Sequence, residues 1–402
     1  MTLWLIILRS MRQHALSTII TAMSIALAGG LLMSVWTVKE QARAAFTGVN
    51  GGFDAVLGAR GSQLQLVLNS IFHLESSPGN LAASDYLDIK HNRNVELAIP
   101  IAVGDNYKGY RLVGTIPEMF EKVEYAPGKH YELEGGGNFF DPTRREAVVG
   151  NFVARKMGLK LGDTFHPYHG LIYNEKDQHS ETYVVVGILK PSNTPADRVI
   201  WIPLEGIQKM KGHDPKAATD VSAVLVKLRG GPMVGFQMDM MYNKQGNRLT
   251  FAWPIATTIA VLFDKIGWFD KVLALVSYLV ALVATMSILA SIYNSMNERR
   301  REIAILRALG ARRRTIFSAI LLEAAAISTL GMVVAFLVYL VIMTGATTVI
   351  RAQTGIVLDP FAWNPVMLWA PAALISLGAL SGIVPAMKAY RTDVAEYLTP
   401  IS

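Results

Sequence analysis

The sequence predicts an α-helical membrane protein with four transmembrane helices and a large mixed α/β extracytoplasmic domain between the first and second. Three observations predict it. Of 402 residues, 51% are hydrophobic and only 17% charged, with a mean hydropathy of +0.32, a balance that suits a membrane protein better than a soluble enzyme. Four stretches are almost free of charge over the roughly 20 residues that a helix needs to cross a bilayer. Between the first two lies a long segment of short alternating apolar runs punctuated by glycine and proline, the pattern of strands and turns.

Taken in order, residues 1–14 form an N-terminal segment carrying Arg9 and Arg12, and residues 15–38 the first span. That run is longer than the ~7–15-residue core of a signal peptide, so it reads as a retained helix. Residues 39–271 are the inserted domain, 272–297 the second span, 298–314 a basic loop, and 315–350 the third span, interrupted by Glu323. A short loop, 351–359, leads to the fourth span, 360–387, and a tail, 388–402. The basic loop holds Arg299, Arg300, Arg301, Arg307, Arg312, Arg313 and Arg314 against Glu298 and Glu302, whereas 351–359 balances Arg351 with Asp359. Positive charge in short loops marks the cytoplasmic side. Both termini are therefore expected in the cytoplasm, in agreement with Arg9, Arg12, Lys388 and Arg391, and the large domain outside.

Within that domain, "YRLVGTI" (110–116), "EAVVG" (146–150), "TYVVVGIL" (182–189), "RVIWIPL" (198–204) and "SAVLVKL" (222–228) read as strands. The runs "EGGGN", "KPSNTPAD" and "RGGP" read as turns. "NFVARKMGL" (151–159) has helical spacing. So does the long run "MDMMYNKQGNRLTFAWPIATTIAVLFDKI", with a break expected at Pro254. Helices entering and leaving the domain would make a stalk that passes movement to the membrane.

The net charge is +7, but the basic residues cluster beside apolar runs, which points to anionic lipid or an acidic partner surface and away from nucleic acid. Cysteine is absent, which excludes disulfides and thiol chemistry and suits an extracytoplasmic domain. No GxxxxGK[ST] phosphate loop occurs, no zinc-protease helix motif and no nucleophile elbow, so no catalytic residue is assigned and no enzymatic activity is expected of the chain itself. Seven of the eight histidines fall in the domain, and "HPYH" sets His166 and His169 three apart, with His130 and His179 nearby in sequence. Imidazole is a common zinc ligand, so His166 and His169 are weak metal candidates. Without an accompanying carboxylate pattern the plain reading is surface loop histidines, and no metal is assigned.

Residues 296–309 contain no proline or glycine and end at Gly310, where a helix C-cap would stand. Ile305 and Leu309 share one face of this short helix, with Ala304 and Ala308 beside them, while Arg299, Arg300, Arg301 and Glu302 crowd the other turns. A topology signal alone explains the charge but not the order "EIAILRALG". That stretch, within "NERRREIAILRALGARRRTI", followed by "LLEAAAISTLGMVVAF", resembles the signature of the MacB/FtsX-like permease domain of ABC transporters. "VPAMKAYRTDVAEYL" is similar to the family's C-terminal ending, with Val394 in place of its usual proline. "REAVVGNFVARKMGLKLGDTF" and "VVVGILKPSNTPADRVIWIPL" resemble its MacB-type periplasmic core domain.

The resemblance implies a permease subunit without its own ATPase, as in DevC and the lipoprotein-releasing permeases, placed in a bacterial inner membrane. It binds no cofactor; ATP and Mg belong to a separate ABC ATPase. That partner would dock on Glu298, Arg299, Arg300, Arg301, Glu302, Ile305, Leu306, Arg307, Leu309 and Gly310. A second permease chain is expected, most simply an identical one, with Gly29 and Gly30 permitting close helix contact in the dimer. A periplasmic adaptor with an outer-membrane channel, or a lipoprotein cargo, would complete the machine. ATP-driven movement would pass up the stalks in a mechanotransmission cycle. The alternatives are a lipoprotein-releasing permease and an FtsX-like scaffold that activates cell-wall hydrolases.

Glu323, near the expected cytoplasmic end of the third span, is costly in a membrane unless paired. A structural and coupling role, pairing with an arginine of the basic loop, is the favoured reading over proton transfer. Ser62 is placed to cap a helix carrying Leu64, Val67, Leu68, Ile71 and Phe72. Burial against the domain is its plain fate. The sharper reading makes Leu64, Leu68, Ile71 and Phe72 a cargo-facing lining.

Overall fold

A computed structural model describes residues 3–213, 215, 218–298, 304, 305, 307, 308 and 310–391. The chain forms two compact units. The first comprises Met1–Gln41, Gly267–Thr347 and Asp359–Ser402; the second comprises Ala42–Ile266 and Thr348–Leu358.

The first unit is helical. Among the described residues, four helices are long and apolar enough to cross a membrane: Ala15–Gly48, Ile255–Asn294, Arg313–Thr354 and Val366–Lys388. The third is the hub. Its inward face, Ile320, Ala324, Ile327, Gly331, Ala335 and Tyr339, is buried at helical spacing. Ile25 and Leu32 of the first span, Ile288 of the second and Leu374 of the fourth share one core with it. Lipid tails are as apolar as leucine, so close contact must come from small side chains. At Gly331 a Cβ would sit 2.7 Å from the Cβ of Ile25 and 2.8 Å from the carbonyl of Ala22; at Gly378 it would sit 2.8 Å from the Cβ of Ser328.

Polar side chains fix the ends of this bundle. The Asn364 amide donates to Glu40 (2.7 Å), and Gln41 and Asp359 exchange two hydrogen bonds of 2.9 Å. Trp36 and Trp369 meet edge to face at 5.8 Å, as the amphipathic rings of an interfacial belt do. The fourth span is shorter than the uncharged run suggests: Pro365 precedes its helix, Val366–Ser381, and a second helix, Ile383–Arg391, follows Gly382. Residues 3–13, read from sequence only as an N-terminal segment, form a separate amphipathic helix. It buries Ile7 and Ser10 and exposes Leu8, Arg9 and Arg12.

The second unit is a mixed α/β domain. Its strands are β1 (Ala55–Ala59), β2 (Val95–Tyr107), β3 (Tyr110–Thr115), β4 (Glu124–Ala126), β5 (Lys129–His130) and β6 (Glu146–Val149). Then come β7 (Thr164–Phe165), β8 (Tyr168–His169), β9 (Tyr183–Ile188), β10 (Ile200–Pro203), β11 (Ala223–Leu228) and β12 (Leu249–Ala252). The main sheet runs β12-β1-β11-β2-β3-β10-β6-β9-β7, with β8 paired to β2. The β3/β10 and β6/β9 pairs are parallel.

The long strand β2 joins two cores. Its first half pairs with β11 and its second with β3. One core gathers Leu57, Ile89, Val224, Val226 and Phe251; the other gathers Val149, Val153, Tyr183, Val185 and Ile202. "NFVARKMGL" gives the helix Asn151–Met157, stopped by Gly158 at φ +70°, a left-handed C-cap that favours glycine. In the "KPSNTPAD" turn the Asp197 carboxylate accepts from the backbone N–H of Ser192 and Asn193 and from the Ser192 hydroxyl (2.7–3.1 Å).

One expectation is corrected. The run after "RGGP" is not helical throughout: Pro232–Asp239 and a π-helical turn, Met240–Gln245, give way to strand β12 before the helix resumes at Ile255. Gly246 ends the helical turn, and pairing with β1 buries Leu249 and Phe251. The Asn243 side chain covers the free edge, accepting from Phe251 N–H (3.0 Å) and donating to its carbonyl (2.7 Å).

Residues 348–358 also belong to this unit. Arg198 donates to the carbonyl of Gln353, and Ile356 and Leu358 are buried.

Candidate functional site

The helix of the second span runs to Glu298. Of the predicted coupling residues, Arg299, Arg300, Arg301, Glu302, Leu306 and Leu309 lie outside the described residues, as do the tail positions beyond 391 that include Val394; of Glu298 only the backbone is described. Among the rest, Ala304 is buried at 1% exposure, Ile305 is exposed at 43%, and Arg307 is intermediate. Gly310 has φ +97° and donates its N–H to the Arg307 carbonyl at 3.0 Å. Arg312, Arg313 and Arg314 are exposed. The neighbouring helix ends are tied together: Arg313 lies over the Tyr390 ring (5.5 Å), and Lys388 lies over the Tyr293 ring (4.2 Å) and donates to its hydroxyl.

Glu323 accepts a hydrogen bond from Ser10 of the N-terminal helix. This buried hydroxyl ties that helix to the third span. Sequence reasoning looked to the arginines and missed Ser10 because nothing in spacing reports a contact between residues so far apart in the chain.

Gly29 and Gly30 require a correction. Both are buried inside the chain: a Cβ at Gly29 would lie 2.7 Å from Met332 Sδ, and one at Gly30 would lie 2.6 Å from Val338 Cγ1 and 3.0 Å from the Ala335 carbonyl. They serve the crossing of the first and third spans, and that contact leaves no room for a second chain at these two positions.

In the α/β domain Ser62 caps the helix Gln63–Ser70, accepting from Gln65 N–H at 3.4 Å. Leu66 and Val67 are fully buried, and Ile71 and Phe72 close the same face, with Phe72 stacked on Phe46 (5.3 Å). Core packing therefore takes Ile71 and Phe72 out of the cargo-facing set, while Leu64 and Leu68 stay half-exposed.

The histidines separate into two groups. His130 and His166 turn Nδ1 toward the carbonyls of Val123 and Glu181. His169 instead joins His179, His213 and Asp105, whose ligand-type atoms all lie within 4.8 Å of one another. Hydrogen bonding to the Asp105 carboxylate raises the pKa of His213. Asp105 and His213 had no signal in the sequence.

Four apolar helices, a basic segment between the second and third, and an α/β domain inserted between the first and second make a multi-pass helical membrane protein with a large α/β domain. Residues 274–394 match the FtsX-like permease C-terminal domain. The macrolide export ATP-binding/permease protein MacB of Brucella melitensis biotype 1 is 23% identical over 407 residues, 96% of this chain and 58% of its own length. MacB of Brucella abortus is 24% identical over 222 residues, 52% of this chain and 32% of its own. The chain thus spans less than two thirds of these relatives. The extracellular domain of the noncanonic ABC-type transporter YknZ from Gram-positive bacteria aligns with 49% of the chain and 97% of its own length, at 16% identity and a TM-score of 0.31. For the periplasmic region of MacB from Actinobacillus actinomycetemcomitans the values are 54%, 94%, 11% and 0.34. Residues 274–394 thus carry the likeness to FtsX-like permeases, and the chain as a whole is similar to the permease part of MacB proteins.

Proposed function

We propose that this chain is the membrane subunit of a mechanotransmission ABC transporter, converting ATP hydrolysis by a separate ATPase into movement of an extracytoplasmic domain that drives export across the envelope. The observation that carries the reading is continuity. The helices that enter and leave the α/β domain are the first and second spans themselves, Ala15–Gly48 and Ile255–Glu298. The end of the third helix belongs to the domain as well. A rigid helix displaced at one end moves at the other, so closure of an ATPase beneath residues 296–309 reaches the domain without substrate passing through the bundle. Lys39 and Asp270 pair at 3.4 Å, and Arg43 and Asp264 at 2.8 Å, which favours the entering and leaving helices moving as one.

We assign ATP and Mg to a partner subunit, a reading supported by the lack of a phosphate loop within these 402 residues. The arginine segment supports a cytoplasmic position for that partner, with the α/β domain on the opposite side of what we take to be an inner membrane. A second copy of the permease completes a two-ATPase assembly.

Because the chain has no cysteine, single cysteines report cleanly. With Ile305→Cys, a short bifunctional cross-linker is expected to join the chain to an ATPase subunit, and a membrane-impermeant maleimide should label this position only after permeabilisation. Ile172→Cys, 84% exposed in the α/β domain, should label from outside. Labelling of Ile305→Cys from outside would reverse the topology and end this reading.

A further inference from the structure

Asp105 lies in the second half of β2, opposite His169 of β8 in the antiparallel register. His179 follows the 3-10 turn Glu175–Asp177, and His213 follows the helix Leu204–Gln208. Pairing and loop closure therefore bring four separated segments to one point. Asp105 Oδ1 is 3.5 Å from His169 Nδ1, 3.2 Å from His179 Nε2 and 3.1 Å from His213 Nε2.

With neutral imidazoles the cluster has more acceptors than donors, so either a ring takes up a second proton or a cation completes it. Nδ1 of His179 faces the Lys211 carbonyl at 2.9 Å, and Nδ1 of His213 faces the Ile207 carbonyl at 2.8 Å. A carbonyl only accepts, so each Nδ1 carries the proton and donates it. In the neutral rings both Nε2 atoms then present lone pairs, and they converge on a carboxylate oxygen that also has only lone pairs to offer. Asp105 is 0% exposed, and its second oxygen, Oδ2, is buried without a hydrogen-bond partner among the described residues. A buried carboxylate in that condition is expensive unless a cation meets it.

A metal ion among them would meet Asp105 Oδ1 and the three ring nitrogens together, since these atoms all lie within 4.8 Å of one another. With bonds of roughly 2.0–2.1 Å, two ligands of a tetrahedral zinc ion stand about 3.3 Å apart, against the 3.1–3.5 Å found between Asp105 and the three imidazoles. The Lys211 and Ile207 carbonyls hold two of the rings by their far nitrogens, the usual orientation of metal-ligating histidines. His169 is 56% exposed. An open cavity of about 370 Å³, lined by Gly104, His169, His213, Asp220 and Ser222, leads to the cluster and supplies a route of entry.

We propose that Asp105, His169, His179 and His213 form a binding site for one divalent first-row transition ion, zinc fitting best, in the α/β domain. Nitrogen and oxygen donors in a four-ligand set suit zinc over the hard alkaline-earth ions. The ion ties residues 169–179 and 213 to β2. This site stands on the domain alone and holds whatever partner the membrane helices engage.

The test uses the full chain, purified in detergent through a tag free of histidine, stripped with a chelator and titrated with Co²⁺ and then Zn²⁺. The expected result is one ion per chain, an intense visible Co²⁺ band of tetrahedral type, and its displacement by Zn²⁺. His213→Gln and the exposed-edge variant His169→Ala should each weaken binding by at least roughly tenfold, on the scale of lost metal-site contacts. His166→Ala, outside the cluster, should leave it unchanged. Zn²⁺ should also raise the unfolding temperature of the native chain and not of His213→Gln. Absence of stoichiometric uptake, or uptake that neither His169→Ala nor His213→Gln weakens, would overturn the site and leave a histidine–aspartate ion cluster.

Discussion

His73 shows how one residue writes a pH dependence into the α/β domain. It sits at φ +54°, edge to face with Trp201 at 5.7 Å, and its Nδ1 is sealed from solvent. Burial, with the nearby Arg111 and Arg198 charges, lowers its pKa from 6.5 to about 3. The unfolded chain therefore takes up a proton below pH 6.5 that the folded chain refuses. Stability from this group is complete above 6.5 and is lost as pH falls toward about 3, by up to roughly 5 kcal/mol. Thermal unfolding should drop between pH 7 and 4.5. His73→Asn, a residue that tolerates positive φ, should flatten that slope; an unchanged slope would assign the loss to other groups. At this scale the sequence is partly legible. His169 stood out in "HPYH", but Asp105 and His213 did not, because only the β2–β8 pairing and the turn after residue 208 bring them to it.

Between elements, small residues decide which helices touch. Gly331 faces Ile25 and the Ala22 backbone, whereas a Cβ at Gly345, on the same helix, would meet nothing within 4 Å. Gly331→Val should destabilise the bundle by about 1–3 kcal/mol, the usual cost of overpacking. Gly345→Ala should be neutral or gain up to about 1 kcal/mol through lower backbone entropy. Detergent-melting curves of the two variants check the pair, and equal effects would contradict the crossing described. The spans themselves were legible because length and absence of charge are local properties. The partner of Gly29 and Gly30 was not: a small residue announces a close approach without naming the helix that approaches. Strand β12 was hidden for a related reason. "LTFA" follows a helical run, and its strand conformation comes from β1, almost two hundred residues earlier in the chain.

Across the whole molecule, the α/β domain is inserted between two spans, and the helices that carry it are those spans. The arginine segment joins the second and third helices, where a force applied by a bound partner would enter the bundle. Its order of apolar and basic residues carried the family resemblance in the sequence, while most of its side chains lie outside the described residues. The account therefore turns on what that segment binds. The most direct measurement is mass spectrometry of proteins that co-purify with the tagged chain in mild detergent, compared with a variant carrying Arg301→Ala, Glu302→Ala and Arg307→Ala. The account predicts an ABC ATPase with the native chain and its loss from a variant that still folds. An ATPase retained by the variant, or absent from both, would contradict coupling through this segment.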